Sequence, residues 1–156
     1  MFKKIMVLMI ALVCLLSVSA ISATDNNTDD SVVAVATDNG TFTALQQKIT
    51  NAAAGDTIYL ENNYTQEGIS QITIDKNLTI DVKSHTIDAK GKSQIFDIKN
   101  NVILKNITFI NGKVTGSSGY GGAIHSTTNT SVSITVIDST FINTTATSGG
   151  AIYTNG

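Results

Sequence analysis

The stretch Phe109-Ile110-Asn111, followed by Gly121-Gly122-Ala123-Ile124, recurs as Phe141-Ile142-Asn143 followed by Gly149-Gly150-Ala151-Ile152. In the first unit Phe109 and Gly121 are 12 positions apart, whereas in the second unit Phe141 and Gly149 are 8 positions apart. The first unit therefore has four extra residues. These fall within residues 114–120, a Gly/Ser-rich segment typical of a loop. Apolar motifs that recur while the loop between them differs in length indicate stacked repeats. In such a stack each unit buries its apolar face against its neighbours.

From residue 56 onward the chain consists of short apolar segments separated by Asn, Asp, Lys and Gly. β-branched residues dominate these words, and many alternate with polar residues, as strands with one face in a core do. We predict strands within residues 57–60, 72–74, 78–80, 86–87, 95–98, 102–104, 107–110, 132–137 and 140–142. No second helical pattern interrupts them, so the sequence predicts an all-β fold, a parallel β-helix (solenoid) whose coils occupy residues 56–156.

Three polar corners favour the same architecture. The words that begin at Asn77, Asn106 and Asp138 each continue with an arbitrary residue, Thr and an apolar residue. Asn and Asp tolerate left-handed backbone, and stacked Asn side chains form hydrogen-bonded ladders. We interpret the three words as equivalent corners of successive coils.

Residues 41–55 are the one helix-like segment. Its apolar residues recur at helical spacing on one face: Phe42, Leu45, Ile49 and Ala53. Thr41 or Thr43 can cap the start, and Gly55 can adopt the left-handed conformation after the end. Because the end of a solenoid exposes core and strand edges, we predict that this short amphipathic helix caps the N-terminal end.

Residues 1–23 are predicted to be a secretory signal peptide. A lysine pair precedes a 12-residue apolar run, residues 5–16, and Ala20 and Ala23 each end a small-residue cleavage pattern. The alternative is an uncleaved membrane anchor, but the run is shorter than the ~20 residues that a spanning helix needs. Cys14, the only cysteine, lies inside the run, so the mature chain is expected to contain no disulfide.

Residues 24–40 are predicted to be a flexible spacer, rich in Asp, Asn and Thr, with a short first strand at 32–35. Beyond the leader, eight lysines against twelve acidic residues give a net charge of −4, and the chain has no arginine. Nucleic-acid recognition relies on Lys and Arg to neutralise phosphates and on Arg to contact base edges. We therefore expect no nucleic-acid partner, and we predict no transmembrane span in the mature chain.

N-glycosylation sequons are frequent. They start at Asn26, Asn39, Asn63, Asn77, Asn106, Asn129 and Asn143. An exporting cell with the required enzymes attaches glycans at such sites, although a chain this rich in Asn and Thr also produces sequons by chance. Asn77 and Asn106 adjoin apolar strand words, where a glycan fits poorly. The candidate sites are Asn26, Asn39, Asn63 and Asn129.

The titratable residues do not form an evident catalytic or metal-binding pattern. The carboxylates of the most promising stretch are 6, 7 and 9 residues apart: Asp75, Asp81, Asp88 and Asp97. Such spacing is typical of solvated corners and does not predict an acid–base pair. His85 and His125 are isolated from Cys and from acidic residues at ligand spacing, so we interpret both as surface residues. We predict a non-catalytic chain with no metal and no cofactor.

Two known groups share these motifs. The Phe-x-x-Asn-like words followed by Gly-Gly-Ala-Ile resemble the repeat of the polymorphic outer membrane proteins. Residues 45–60, with Ala52-Ala53-Ala54-Gly55-Asp56-Thr57-Ile58-Tyr59-Leu60, resemble the passage from helix to first strand in pectate-lyase-like right-handed β-helix proteins. With its leader, the chain is similar to the adhesin-like β-helix proteins of archaeal and bacterial surfaces, over about 115 residues from Phe42 onward.

The resemblance implies a right-handed parallel β-helix that is secreted and displayed on the cell surface, at the outer membrane in a Gram-negative-type cell. It implies attachment to surface glycans or to proteins of host or neighbouring cells. Family members are longer, so we expect further coils or an anchor domain. The alternatives are a structural, glycosylated surface coat and a fragment of a polysaccharide lyase or hydrolase, although the arginine base frequent in such lyases is missing here.

The repeat residues themselves are interpreted as structural. In each Gly-Gly-Ala-Ile word the two glycines allow close approach of neighbouring coils, and the isoleucine points inward. Outer β faces that carry Thr, Asn and Tyr are suited to binding sugars, and Tyr120 and Tyr153 are the stacking candidates. The alternative for both tyrosines is that they cover the edge of the core.

Overall fold

The computed structural model describes residues 38–127 and 131–155. The predicted signal peptide, most of the predicted spacer with its first strand at 32–35, and the candidate sites Asn26 and Asn129 lie outside the described residues.

One helix is followed by short strands throughout the described residues. The helix α1 spans Phe42–Asn51. The strands are β1 (Thr57–Tyr59), β2 (Tyr64–Thr65), β3 (Ile72–Ile74), β4 (Leu78–Asp81), β5 (Thr86–Asp88), β6 (Phe96–Ile98), β7 (Val102–Lys105), β8 (Thr108–Ile110), β9 (Ile124–Thr127), β10 (Ile134–Ile137), β11 (Thr140–Ile142) and β12 (Ile152–Asn155).

The strands form three parallel sheets of four strands each. The first sheet has the order β1-β4-β7-β10, the second β2-β5-β8-β11 and the third β3-β6-β9-β12. Each strand therefore pairs with the strand three positions later, and three consecutive strands make one coil. The four coils confirm the predicted all-β solenoid of parallel strands.

The core is built from columns of side chains that stack from coil to coil. In the second sheet Tyr64, Ile87, Phe109 and Phe141 are in register and point inward. The rings of Phe109 and Phe141 stack with centroids 4.8 Å apart and planes 7° apart. Aliphatic residues fill the equivalent columns of the first sheet, and in the third sheet Phe96 shares a column with Ile72 and Ile124. The alternation along the strands gives one buried and one outer face.

The helix covers the first coil. Thr41 is its N-cap, and the Thr41 hydroxyl accepts a hydrogen bond from the backbone N–H of Ala44. Phe42, Leu45 and Ile49 are buried in the same core cluster as Tyr64, and the helix contacts β2 and β3. Ala53, which the spacing placed on this face, is exposed because the helix ends at Asn51.

Two of the three predicted corners are equivalent, and the third is not. Asn106 and Asp138 both connect the first sheet to the second, and both have left-handed backbone, with φ 55° and 48°. Asn77 instead precedes β4 and aligns with Asn101 in the next coil. In the second coil the N–H of Ser84 donates to the Asn106 carbonyl. The shared Thr-apolar pattern arose because strands of all three sheets alternate in the same way.

The four extra residues of the first unit lie between two backbone bridges. Lys113 pairs with Thr145, and Tyr120 pairs with Ser148, so six residues of the third coil lie opposite two of the fourth. The Gly-Gly-Ala-Ile words lead directly into β9 and β12. These two strands and β2 were not among the predicted strands, because their polar residues and brevity give no alternating apolar pattern.

Candidate functional site

The repeat glycines lie where coils approach closely. Gly121 and Gly149 have φ 60° and 62°, which a glycine adopts without strain. A Cβ atom on Gly122 would lie 2.7 Å from the Thr145 nitrogen and would also meet the carbonyl oxygen of Gly150. Ala123 and Ile124 are fully buried. In the third coil the Gly-Gly-Ala-Ile motif therefore serves the packing of the coils, and its side chains are buried.

The repeat asparagines belong to a ladder that joins successive coils. Asn111 Nδ2 donates to Asp88 Oδ1 at 3.0 Å, and Asn143 Nδ2 donates to Asn111 Oδ1 at 2.6 Å. Asn111 and Asn143 both have left-handed backbone, with φ 54° and 52°. The side chains thus stabilise one corner of the solenoid across three coils.

Three near-parallel rings lie on the outer face of the third sheet, and we call them the tyrosine–histidine column. Its members are Tyr120, His125 and Tyr153. The Tyr120 and Tyr153 centroids are 4.4 Å apart, and that of His125 is 6.3 Å from the first and 6.1 Å from the second. His125 and Tyr153 are register partners in β9 and β12, so their side chains point to the same face. All three residues are half-buried.

A carboxylate continues this column into the preceding coil. His125 Nδ1 lies 3.1 Å from Asp97 Oδ1, and a protonated Nδ1 donates to that oxygen. Lys99 Nζ lies 3.5 Å from Asp97 Oδ2 and is itself exposed. The outer face of the third sheet therefore presents aromatic rings next to a histidine, a carboxylate and an ammonium group.

The pairing of His125 with Asp97 corrects the interpretation of this histidine as isolated. The two residues are 28 positions apart along the chain and become neighbours because β6 and β9 pair in register. Aligning the strand that follows Gly121-Gly122 with the strand at 95–98 would have placed them together. The varying coil length hid that alignment.

Two other aspartates of the stretch, Asp81 and Asp88, bind backbone and amide groups. Asp81 Oδ1 accepts from Asn106 Nδ2 at 2.9 Å and from the Lys83 backbone N–H at 3.0 Å. These hydrogen bonds lower the pKa of Asp81 below its usual value. Asp88 Oδ1 likewise accepts hydrogen bonds from Asn111 Nδ2 and from the Lys90 backbone N–H. Within residues 38–127 and 131–155 no group of three His, Cys, Asp or Glu side chains could hold a metal ion.

A shallow groove crosses the N-terminal ends of the strands of the first sheet, and we call it the first-sheet groove. It has a volume of about 340 Å³, and its lining comes from all four coils: Gly55, Asn77, Leu78, Thr79, Asn101, Val102, Ile103, Ser133 and Thr135. Every lining side chain is uncharged. Asn101 Oδ1 accepts from the Ser133 backbone N–H at 2.8 Å, which ties the third and fourth coils together at the groove.

The sequons within the described residues differ in how their amides are used. Asn39, Asn63 and Asn77 are exposed. Asn106 is half-buried and its Nδ2 donates to Asp81, while Asn143 is exposed but its Nδ2 donates to Asn111. Thus the structure separates Asn77 from Asn106, which the sequence patterns had grouped together.

No protein-family model, no curated protein and no solved structure matches this chain. Within residues 38–127 and 131–155 the structure has no helix with the length and apolarity that a membrane span requires.

Proposed function

We propose that this chain is an exported, adhesin-like β-solenoid that attaches its cell to glycans on another surface. The finer assignment, to right-handed β-helix proteins with the polymorphic outer membrane protein repeat, belongs to this proposal and rests on the leader and on the Phe-Ile-Asn and Gly-Gly-Ala-Ile words. The observation that carries the binding role is the tyrosine–histidine column on the outer face of the third sheet.

The column has the chemistry that sugar recognition uses. A tyrosine ring offers an apolar face to the C–H groups of a pyranose, and its hydroxyl remains available for hydrogen bonding. Asp97, His125 and Lys99 stand beside the rings and supply hydrogen-bond acceptors and donors for sugar hydroxyls. Asp97, His125 and Tyr153 lie on paired strands of three successive coils, so much of the surface is formed before a ligand binds.

Binding is tested with the full chain and a panel of immobilised surface polysaccharides. We expect Tyr153→Ala to weaken binding about tenfold, the equivalent of one lost aromatic contact of ~1.4 kcal/mol. Tyr59→Ala is the matched control, because Tyr59 is a 57% exposed tyrosine on the first sheet, away from the column. Equal effects of the two substitutions, or no saturable binding, would contradict the adhesive role and favour the surface-coat alternative.

Export is tested by the intact mass of the protein recovered from washed cell envelopes. We expect the leader to be absent from that mass. A chain that keeps residues 1–23 and stays inside the cell would contradict the proposal. Depolymerisation of a polysaccharide during the binding assay would instead favour the enzyme alternative.

A further inference from the structure

We infer that Asn77 carries an N-linked glycan whose first sugars lie in the first-sheet groove. This inference rests on the proposed export, because the transfer takes place during or after passage across a membrane. The donor is an oligosaccharide activated as a lipid phosphate ester. Asn77 Nδ2 forms a bond to C1 of the sugar, the bond between C1 and the phosphate oxygen breaks, the lipid phosphate leaves with that electron pair, and a base takes one amide proton.

Asn77 has the amide that such a linkage requires. Its side chain is exposed, and within residues 38–127 and 131–155 no side-chain hydrogen bond engages it. Its backbone carbonyl accepts a hydrogen bond from the Gly55 N–H at 2.7 Å. At Asn106 and Asn143 the Nδ2 atom already donates to the neighbouring coil, so a sugar there would disturb a ladder.

The third sequon residue, Thr79, lies in the same groove as Asn77. Thr79 follows the buried Leu78, which is 3% exposed, and so both sequon residues point outward on either side of it. An acceptor segment must be extended and free to enter a transferase. We therefore expect transfer before β4 packs into the sheet, and the folded chain then holds the sugar against its outer face.

The groove suits a sugar attached at its edge. Asn101, Ser133 and Thr135 offer amide and hydroxyl groups, and Ile103, 37% exposed, offers an apolar surface between them. Neutral polar groups around one aliphatic side chain match the hydroxyl rim and the C–H face of a pyranose. The coils repeat every ~4.8 Å along the groove, so equivalent groups recur at short, regular steps.

The first test is a peptide map of the leader-cleaved protein from cell envelopes. We expect sugar on the peptide that contains Asn77 and none on those that contain Asn106 and Asn143. Asn77→Gln should remove one mass increment, whereas Asn106→Gln should leave the mass of the glycans unchanged. Exported, leader-cleaved protein without sugar at Asn77 would overturn the inference while leaving the proposed export intact.

The second test asks whether the sugar lies in the groove. A glycosidase that releases whole N-glycans should act on Asn77 about tenfold more slowly in the folded protein than in the unfolded chain, because the contacts must first break. Ile103→Asp should raise the rate in the folded protein without changing the mass increment. Ile137→Asp is the matched control, a 38% exposed residue of the same sheet outside the groove. Equal release rates in folded and unfolded wild-type protein would overturn the groove contact.

Discussion

Gly122 and Gly150 occupy equivalent positions in the two Gly-Gly-Ala-Ile motifs, yet they have different surroundings. A Cβ atom on Gly122 would lie 2.7 Å from the Thr145 nitrogen, whereas one on Gly150 would have only the Thr144 carbonyl oxygen at 3.9 Å nearby. We expect Gly122→Ala to lower the free energy of unfolding by ~1–3 kcal/mol through overpacking. Gly150→Ala should instead be neutral or raise it by ~0.4–1 kcal/mol, because alanine restricts the unfolded chain.

Urea unfolding of the two alanine variants and the wild type measures this difference. The wild-type slope with denaturant should be preserved in both variants, since neither changes the surface that unfolding exposes. Similar losses in both variants would mean that the backbone conformation at the word, and not the close approach of coils, is what requires glycine.

At the scale of elements, the helix is joined to the first coil through Asp38. The Asp38 carboxylate accepts hydrogen bonds from Tyr64 Oη at 2.7 Å and Asn62 Nδ2 at 3.1 Å, and it pairs with Lys48 Nζ of α1 at 3.2 Å. Burial alone would raise the pKa of Asp38, but the hydrogen bonds from Tyr64, Lys48 and Asn62 outweigh it and the pKa is lowered. Burial and the neighbouring carboxylate raise the pKa of the Tyr64 hydroxyl far above its usual range, so that it stays a neutral donor.

This network predicts a loss of stability in acid. Because the folded pKa of Asp38 lies below the unfolded value of ~3.9, its contribution is full above that value and is lost as the pH falls through the folded pKa. Asp38→Asn should reduce the dependence of the melting temperature on pH in this window, without abolishing it, because Asp81 also has a lowered pKa. An identical acid dependence in the variant would contradict a stabilising role for the Asp38 carboxylate.

At the scale of the whole described stack, burial decreases toward the fourth coil. The inward residues of the second and third coils, such as Ile80, Leu104 and Phe109, are fully buried. Their register partners in the fourth coil, Val136 and Phe141, are only partly buried, and Ile152 is 38% exposed. Parallel coils contact only their neighbours, so stability is distributed along the stack.

Hydrogen exchange detected by mass spectrometry should therefore be graded along this chain. We expect amides of β10–β12 to exchange through local opening and those of β4–β8 to exchange only with global unfolding. Phe141→Ala should accelerate exchange mainly in the fourth coil, because it removes the ring stacked on Phe109. Uniform protection over all four coils would show instead that the stack opens as one cooperative unit.

The sequence predicted much of the solenoid and, within the tyrosine–histidine column, only the two tyrosines Tyr120 and Tyr153. The duplicated words indicated stacking, and most strands of the first two sheets were recognisable because β-branched residues alternate along them. The strand β2, with two residues, and the strands β9 and β12, with polar centres, carry no such pattern. Asn77 was placed at the wrong corner because strands of every sheet share one alternation.

The local pattern of apolar and polar residues by itself determined that this chain forms short parallel strands with one buried face, capped by an amphipathic helix. Only the tertiary structure decided which side chains share a column. The register joins Thr57 to Thr79, Leu78 to Val102 and Val102 to Ile134, so successive coils take 22, 24 and 32 residues. Because loops absorb these differences without disturbing the stacked strands, no fixed sequence spacing could bring Asp97 to His125 or Asn77 to the groove.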